Sequence, residues 1–196
     1  MRYWGVAAGL ILMVLVAVIG VATLDFQANC RDCWLFRHHR HKNGERNPST
    51  SLKTITSAQA DFRANDRDGD KVTQFWRADI AGLYALAPGG GPAIRLIELS
   101  VAAADDRPVL SIAPYAKPAP KSGYWYRALR HADEAVLDAN LRFAAECHPA
   151  DYPKSGRWTF IVDENNTVFR ADLGHGRGIE VYPTDDELRA KWSKLD

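Results

Sequence analysis

Residues 158–173, WTFIVDENNTVFRADL, contain the clearest strand–turn–strand pattern in the chain. Trp158, Phe160 and Val162 recur at every second position, so in a strand their side chains share one face. Asn165-Asn166 is a turn signal, and a second strand is expected directly after it. The stretch therefore predicts an antiparallel hairpin whose apolar face needs a covering layer.

The period of two continues upstream of this hairpin. Tyr124 and Tyr126 alternate with Trp125 and Arg127, which predicts one strand. The apolar face of another strand is formed by Leu141, Phe143, Ala145 and Cys147. Sequential strands joined by short loops predict an antiparallel sheet of about four strands, with helices from upstream on its apolar face.

The helical period appears before and after the predicted sheet. Residues 49–64 form the first predicted helix, with Leu52, Ile55 and Phe62 on one face and Ser49, Thr50 or Ser51 as its N-cap. Residues 79–86 and 93–104 predict two more helices, the second from the spacing of Ile94, Ile97, Val101 and Ala104.

The last predicted element is a short C-terminal helix. Thr184 and Glu187 have the spacing of a capping box, and Pro183 precedes them. Leu188, Trp192 and Leu195 form the stripe that would dock on the sheet. The fold class expected for the soluble part is therefore α+β.

Residues 5–24, GVAAGLILMVLVAVIGVATL, are apolar throughout apart from Thr23. A helix rising about 1.5 Å per residue needs about 20 such residues to cross a bilayer core. Tyr3 and Trp4 precede the stretch, and aromatic side chains favour the membrane interface. The sequence predicts an uncleaved transmembrane anchor over residues 1–24. A cleaved secretory signal with small residues at Gly20-Val21-Ala22, or a buried soluble helix, are the alternatives.

Residues 25–48 are expected to form a basic juxtamembrane linker, because Asn43-Gly44 and Asn47-Pro48 interrupt any helical period. Two cysteines and three histidines in it have the residue types of a tetrahedral zinc shell or of a redox pair. These metal candidates are Cys30, Cys33, His38, His39 and His41. The cysteine-to-histidine gap is short for a zinc finger, so a solvated basic segment is the competing interpretation.

A second metal candidate follows the first predicted helix. Asp66, Asp68 and Asp70 alternate around Gly69, and such carboxylates are calcium ligands. With Gly69 placed at the invariant glycine of an EF-hand loop, the bidentate glutamate position falls on Phe75, so that loop does not match. Asx-rich turns cap local amides without a metal, which is the alternative.

Composition and motifs limit the function classes. The chain has 196 residues, a net charge of +1 and three cysteines, so neither a nucleic-acid partner nor a disulfide scaffold is expected. The sequence lacks G-x-S-x-G and H-E-x-x-H, and no catalytic residue or cofactor is predicted. Cys147 and His148 are neighbours, but strand neighbours point to opposite faces, which predicts a core cysteine beside an edge histidine.

Several segments resemble known families. SLKTITSAQADFRANDRDGD, FWRADIAGLYAL and IRLIELSVAAAD resemble a bacterial family of anchored proteins with type IV pilin or pseudopilin-like heads. KSGYWYRAL and CHPADYPKSGRWTFIVDENNTVFRADLG are similar to the end of a bacterial family of unknown function found mostly on exported proteins. The resemblance implies a pilin-like domain over residues 49–196, displayed outside the cytoplasmic membrane. The prepilin cleavage motif is absent and the linker interrupts the pilin stem.

Together these features predict a single-pass membrane protein that acts as a structural or interaction module. Its expected partners are the lipid bilayer and other envelope proteins. Arg31, Arg37, Arg40, Lys42 and Arg46 follow the apolar span and would favour a cytoplasmic C-terminal part. The resemblance to exported proteins favours the opposite side, which is the expected orientation. The alternative function is that of a metal-binding or redox protein.

Overall fold

A computed structural model describes residues 34–132 and 141–195, with side chains from Pro48 onward. The chain divides into two compact units, Met1–Lys42 and Asn43–Asp196. In the first unit the described residues, 34–42, are all helical. The predicted anchor over residues 1–24, Cys30 and Cys33 lie outside the described residues. No helix in the described part of the chain is long and apolar enough to cross a membrane.

The longest helix among the described residues, α1, runs from Trp34 to Ala64 and contains Pro48. It therefore begins 15 residues before the predicted start at Ser49, and the expected interruptions at Asn43-Gly44 and Asn47-Pro48 are absent. A proline removes one backbone hydrogen bond of a helix, and a glycine costs about 1 kcal/mol. Because both costs are local, packing of the rest of the helix can offset them.

The predicted apolar face of α1 is confirmed. Leu52, Ile55 and Phe62 are buried and belong to the same core cluster as sheet residues such as Phe160. Gln59 also lies on the buried side, where its amide donates to the Trp76 carbonyl and its oxygen accepts from the Trp76 N–H at 2.9 Å. This pair of hydrogen bonds fixes the following loop against α1.

The middle of the chain has less helix than the sequence predicts. Two short helices, α2 (Gly82–Ala85) and α3 (Leu99–Ala102), are separated by a 3-10 turn at Pro88–Gly90. The predicted helix over residues 93–104 is therefore wrong except for α3. The amides of residues 94–96 donate to carbonyls of Leu86, Tyr84 and Leu83, and Arg95 has a φ of +51°, so this segment is bound to α2 in a non-helical conformation.

Within the described residues, five strands form one antiparallel sheet in the order β1-β2-β3-β4-β5. The strands are β1 (Tyr124–Leu129), β2 (Ala144–Pro149), β3 (Thr159–Asp163), β4 (Val168–Ala171) and β5 (Ser193–Lys194). The α+β class and the meander of the first four strands are confirmed, but β2 begins at Ala144, and Leu141, which was predicted on its apolar face, lies before the strand and is 47% exposed. The fifth strand is short, and two residues carry too little period for sequence patterning to detect.

The two faces of the sheet are covered by different parts of the chain. Tyr126, Cys147 and Phe160 pair across β1, β2 and β3 and face the main core, to which α1 also contributes. Their strand neighbours point to the other face, where a second cluster forms around Leu129, Ala144, Ile161 and Tyr182. The second face is covered by the residues after β4.

The covering segment ends in α4 (Asp185–Lys191) followed by β5. The predicted capping box is confirmed, because Thr184 accepts from the Glu187 amide and Glu187 accepts from the Thr184 amide. Leu188 and Trp192 pack against the second cluster as predicted. Leu195 does not, since it is 40% exposed and its amide donates to the Val168 carbonyl instead.

Candidate functional site

The acidic turn after α1 brings its three predicted metal ligands together. Asp66, Asp68 and Asp70 each offer a carboxylate oxygen, and these oxygens lie within 4.8 Å of one another. The chain curls tightly here, with left-handed backbone at Asp66, Gly69 and Lys71. Three converging carboxylate oxygens are a donor set that suits calcium.

Hydrogen bonds inside the turn occupy part of this donor set. Asp66 accepts from the Lys71 amide at 3.2 Å, and Asp70 accepts from the Val72 amide at 2.7 Å. The side-chain amide of Gln74 donates to both Asp68 and Asp70. Burial, followed by the neighbouring charge of Asp70, raises the pKa of Asp68. The turn is therefore an Asx-type turn whose side chains cap its own backbone amides, and the charged form of Asp68 is disfavoured in it.

The structure also suggests a different register for comparison with an EF-hand loop. With Asp66 at position 1, Asp68 and Asp70 occupy positions 3 and 5, and Lys71 has the left-handed conformation of the glycine at position 6. Position 12 then falls on Arg77, where the loop requires a bidentate glutamate. Calcium binding at this turn stays a prediction.

Replacement of Asp68 by asparagine tests the turn. The variant removes a carboxylate whose charged form is disfavoured in the fold, while the amide oxygen still accepts from Gln74. We expect a small increase in the free energy of unfolding at pH 7, under about 0.5 kcal/mol. Urea denaturation measures it, with Asp186→Asn, at an exposed residue, as the matched control.

The same variant tests calcium binding. A melting temperature that rises with calcium in the wild type but not in D68N would support a metal site. An unchanged melting temperature would show that the turn is capped by its own side chains without metal.

The second metal prediction receives no test from the structure. Cys30 and Cys33 lie outside the described residues, and His38, His39 and His41 fall within α1, where side chains before Pro48 are not described. The three histidines are therefore helical and not in an irregular linker. A zinc or redox role for these five residues stays a prediction.

A buried charge network that sequence reasoning missed lies on the second face of the sheet. Arg127 of β1 is paired with Glu146 of β2, and His148 follows on the same face of β2. Glu146 is 0% exposed, and His148 is 4% exposed. His148 is therefore a buried residue of a central strand, which corrects the prediction of an edge histidine.

Arg127 forms the ion pairs of the network, and His148 lies against two of its carboxylates. Arg127 Nε donates to Asp106 Oδ1 at 3.0 Å, and its Nη1 lies 3.6 Å from Glu146 Oε1. His148 Nδ1 lies 3.2 Å from Glu146 Oε1, and its Nε2 lies 3.7 Å from Asp106 Oδ2. Burial alone would lower the pKa of Arg127, but the Asp106 hydrogen bond and the charge of Glu146 outweigh it, and the pKa is raised. Arg127 is thus the cation of the network.

Two members of the network bind the backbone of the covering segment. Glu146 Oε2 accepts from the Ile179 amide at 2.8 Å, and Arg127 Nη1 donates to the Ile179 carbonyl at 3.0 Å. Gly178 is required beside them, because a Cβ at this position would lie 1.9 Å from Glu146 Oε1 and 2.6 Å from His148 Nδ1. We call these two hydrogen bonds to the Ile179 backbone the clamp. Gly178 packs directly over Glu146 and His148 and closes the network.

The neighbouring cysteine is placed for packing. Cys147 is buried in the main core, on the face opposite to His148, as the alternation of β2 predicts. Burial, and then the charge of Glu146, raises the pKa of the Cys147 thiol, so its nucleophilic thiolate is disfavoured. The predicted core cysteine is confirmed.

Two further buried carboxylates, Asp79 and Asp105, accept hydrogen bonds from backbone amides of the loops. Asp79 accepts from the amides of Val109 and Leu110, both at 2.7 Å. Asp105 accepts from those of Ile80 and Ala81 at 2.7 and 2.8 Å. Burial, together with the nearby charge of Asp79, raises the pKa of Asp105 to about 6 although these amide hydrogen bonds lower it.

This pKa predicts a pH dependence of stability. A carboxyl whose folded pKa lies above its unfolded value near 3.8 stabilises the fold at low pH, and that contribution is lost as pH rises toward 6. Relative to Asp105→Asn, the free energy of unfolding of the wild type should fall by about 2 kcal/mol from pH 4 to pH 7, at about 1.36 kcal/mol per pKa unit, because the unfolded carboxyl is already largely ionised at pH 4. Urea titrations at several pH values measure it. Parallel pH profiles for the two proteins would contradict the assignment.

The described part is thus an α+β domain whose five-stranded sheet has a helix-covered face and a clamped, charge-bearing face. The chain belongs to the family described as "Protein of unknown function (DUF2950)", whose model matches residues 36–182. The matched range includes Asp106, Arg127, Glu146, His148 and Gly178. No curated protein and no solved structure matches the chain. The expected membership in a family of unknown function is confirmed.

Proposed function

We propose that the chain is a membrane-anchored structural or interaction module, displayed on the extracytoplasmic side, and that it is not an enzyme. The observation that supports this most strongly is that the buried side chains of the charge network make structural contacts. Glu146 and His148 are sealed beneath Gly178, Arg127 donates to Asp106 and to the Ile179 carbonyl, and Glu146 accepts from the Ile179 amide. Residue types that serve as catalysts elsewhere hold the fold together here.

Attachment to the membrane is proposed through residues 5–24. Their length and composition suit a spanning helix. The basic residues after the span oppose export, but the positive-inside rule is a bias that some proteins break. The resemblance of residues 121–129 and 147–174 to a family found mostly on exported proteins supports the extracytoplasmic side.

A pilin-like arrangement is the finer part of the proposal. Pilin heads lay a long N-terminal helix on an antiparallel sheet, and α1 with β1–β4 has the same kinds of elements in the same order. Leu52, Ile55 and Phe62 of α1 share the main core with the sheet, which supports this layout. The proposed role is therefore that of a displayed head that contacts other envelope proteins.

Fractionation of the full chain tests the anchor. Membranes from a bacterial host expressing the full chain are washed with alkaline carbonate, and a variant lacking residues 5–24 is treated in parallel. We expect the full chain to stay in the pellet and the deletion variant to be released. Intact-mass measurement of the pelleted protein should include the N-terminal segment. A chain that washes off, or that lacks its first residues, would overturn the anchor and favour a cleaved signal.

A matched variant separates insertion from electrostatic attraction. Arg37, Arg40 and Lys42 lie in the basic segment after the span, which could bind anionic lipid headgroups. Their replacement by glutamine should leave carbonate-resistant attachment unchanged if residues 5–24 insert. Loss of attachment in this variant would show a peripheral association instead.

A further inference from the structure

The C-terminal arm, residues 174–195, covers the second face of the sheet, and three sets of contacts hold it besides the packing of Leu188 and Trp192 and the pairing of β5 with β4. The clamp on Ile179 is one of them. Glu180 is another, since its carboxylate lies 2.6 Å from Arg107 Nη1 and 3.7 Å from Arg130 Nη2. Tyr182 is the third, and it is buried in the second cluster. Helix α4 has no buried residue.

The arm also adds backbone pairing to the edge of β1. The Arg130 amide donates to the Glu180 carbonyl at 3.1 Å, and the Tyr182 amide donates to the Arg130 carbonyl at 2.8 Å. Arg130 and Val181 are thus partners in a parallel bridge. The second face thus contacts Gly178, the backbone of Ile179, the exposed carboxylate of Glu180 and the buried Tyr182.

The connection into the arm permits a change of direction. Gly174 and His175 are exposed, and Gly174 has a φ of +72° with open space where a Cβ would lie. The first docked residue after them is Gly176, where a Cβ would lie 2.9 Å from the Pro149 carbonyl. Straightening the chain at residues 174–175 therefore breaks none of the clamp, bridge or cluster contacts.

We propose that the arm exchanges between two copies of this chain, so that each copy clamps the arm of the other. The second face of the sheet is complementary to the arm's own sequence, and a second copy presents that sequence unchanged. All docking contacts are then preserved, and the free-energy difference between closed and exchanged forms lies in residues 174–175 and in the concentration of the chain. This partner assignment rests on the proposed interaction module, because anchoring to one membrane raises the effective concentration of copies.

Cysteine pairing across the parallel bridge tests the exchange in the full, membrane-bound chain. Cys30 and Cys33 are first replaced by serine. One tagged copy then carries Arg130→Cys and a differently tagged copy carries Val181→Cys, at two positions that lie side by side in the docked arm. Copper-phenanthroline oxidises the two thiols to a disulfide. We expect a band with both tags at twice the chain mass, which needs both cysteines and disappears on reduction.

Two further variants make the result decisive. Val109→Cys, at a residue 70% exposed and outside the bridge, replaces V181C as the control and should give no band with both tags. Both cysteines on one copy report the closed form as an internal disulfide. An internal disulfide without any two-tag band would overturn the exchange, and so would the absence of both products, because the arm would then not dock as described. The carbonate wash is independent, so failure of the anchor and failure of the exchange are distinguishable.

Discussion

Replacement of Glu146 by alanine is expected to lower the free energy of unfolding by about 3–5 kcal/mol. The carboxylate is fully buried between Arg127 and His148, and it accepts the Ile179 amide. Its removal leaves a buried guanidinium with Asp106 as its remaining close carboxylate and deprives a backbone N–H of its acceptor. The Ile179 amide then carries the desolvation cost of a donor without an acceptor, and Arg127 loses one of its two carboxylate neighbours.

Urea denaturation of the full chain in mild detergent, followed by circular dichroism, measures this loss. Glu98→Ala is the matched control, because Glu98 is exposed and pairs with Lys121 at the surface, where such pairs contribute under about 1 kcal/mol. Hydrogen exchange adds a local measurement, since the amides of Ile179 and Tyr182 should lose protection before those of β2 and β3. A Glu146→Ala protein within 1 kcal/mol of the wild type would show that the network does not hold the arm.

Replacement of Phe62 by alanine is expected to cost about 3–5 kcal/mol. Phe62 is 1% exposed near the end of α1, and its ring centroid lies 5.8 Å from that of Trp76. The truncation removes the transfer free energy of the ring and leaves a cavity between the helix and the loop held by Gln59. A domain stable by about 5–15 kcal/mol would lose a large share of that margin.

The same denaturation measurement applies, with Phe169→Ala as its control. Phe169 is a phenylalanine of β4 that is only half-buried, so its truncation should cost clearly less. Equal losses for the two variants would contradict the central position given to α1 in the main core.

The sheet could be predicted because strands have a period that the sequence displays directly. Trp158, Phe160 and Val162 recur at every second position, and the turn at Asn165-Asn166 fixes the order of two strands. The face of α1 was predictable for the same reason. The start of α1 was not, because local breakers at Gly44 and Pro48 do not show what packing elsewhere on the helix can offset.

The middle of the chain shows where periodicity misleads. Ile94, Ile97 and Val101 have helical spacing, but the amides of residues 94–96 bind carbonyls of α2 and its flanking residues. Such hydrogen bonds depend on a neighbour that lies outside the window of the pattern. Apolar spacing shows what is buried and does not decide which backbone partner is used.

The acidic turn could be found from sequence because its three carboxylates are close in the chain. The charge network could not, since Asp106, Arg127 and Glu146 come together only through the register of β1 with β2 and the return of the arm. One sequence signal was present: Arg127, Glu146 and His148 occupy the polar positions of strands whose other face is apolar. A buried face with charges on it requires a covering segment that supplies partners.

The side of the membrane on which the domain lies is the most direct test of the proposed function. Alkaline phosphatase and a fluorescent protein are fused separately to the C-terminus of the full chain, because the first is active outside the cytoplasm and the second fluoresces inside it. We predict an active phosphatase fusion and a dark fluorescent fusion, both in the membrane fraction. A fluorescent, phosphatase-inactive result would place the domain in the cytoplasm and contradict the displayed module.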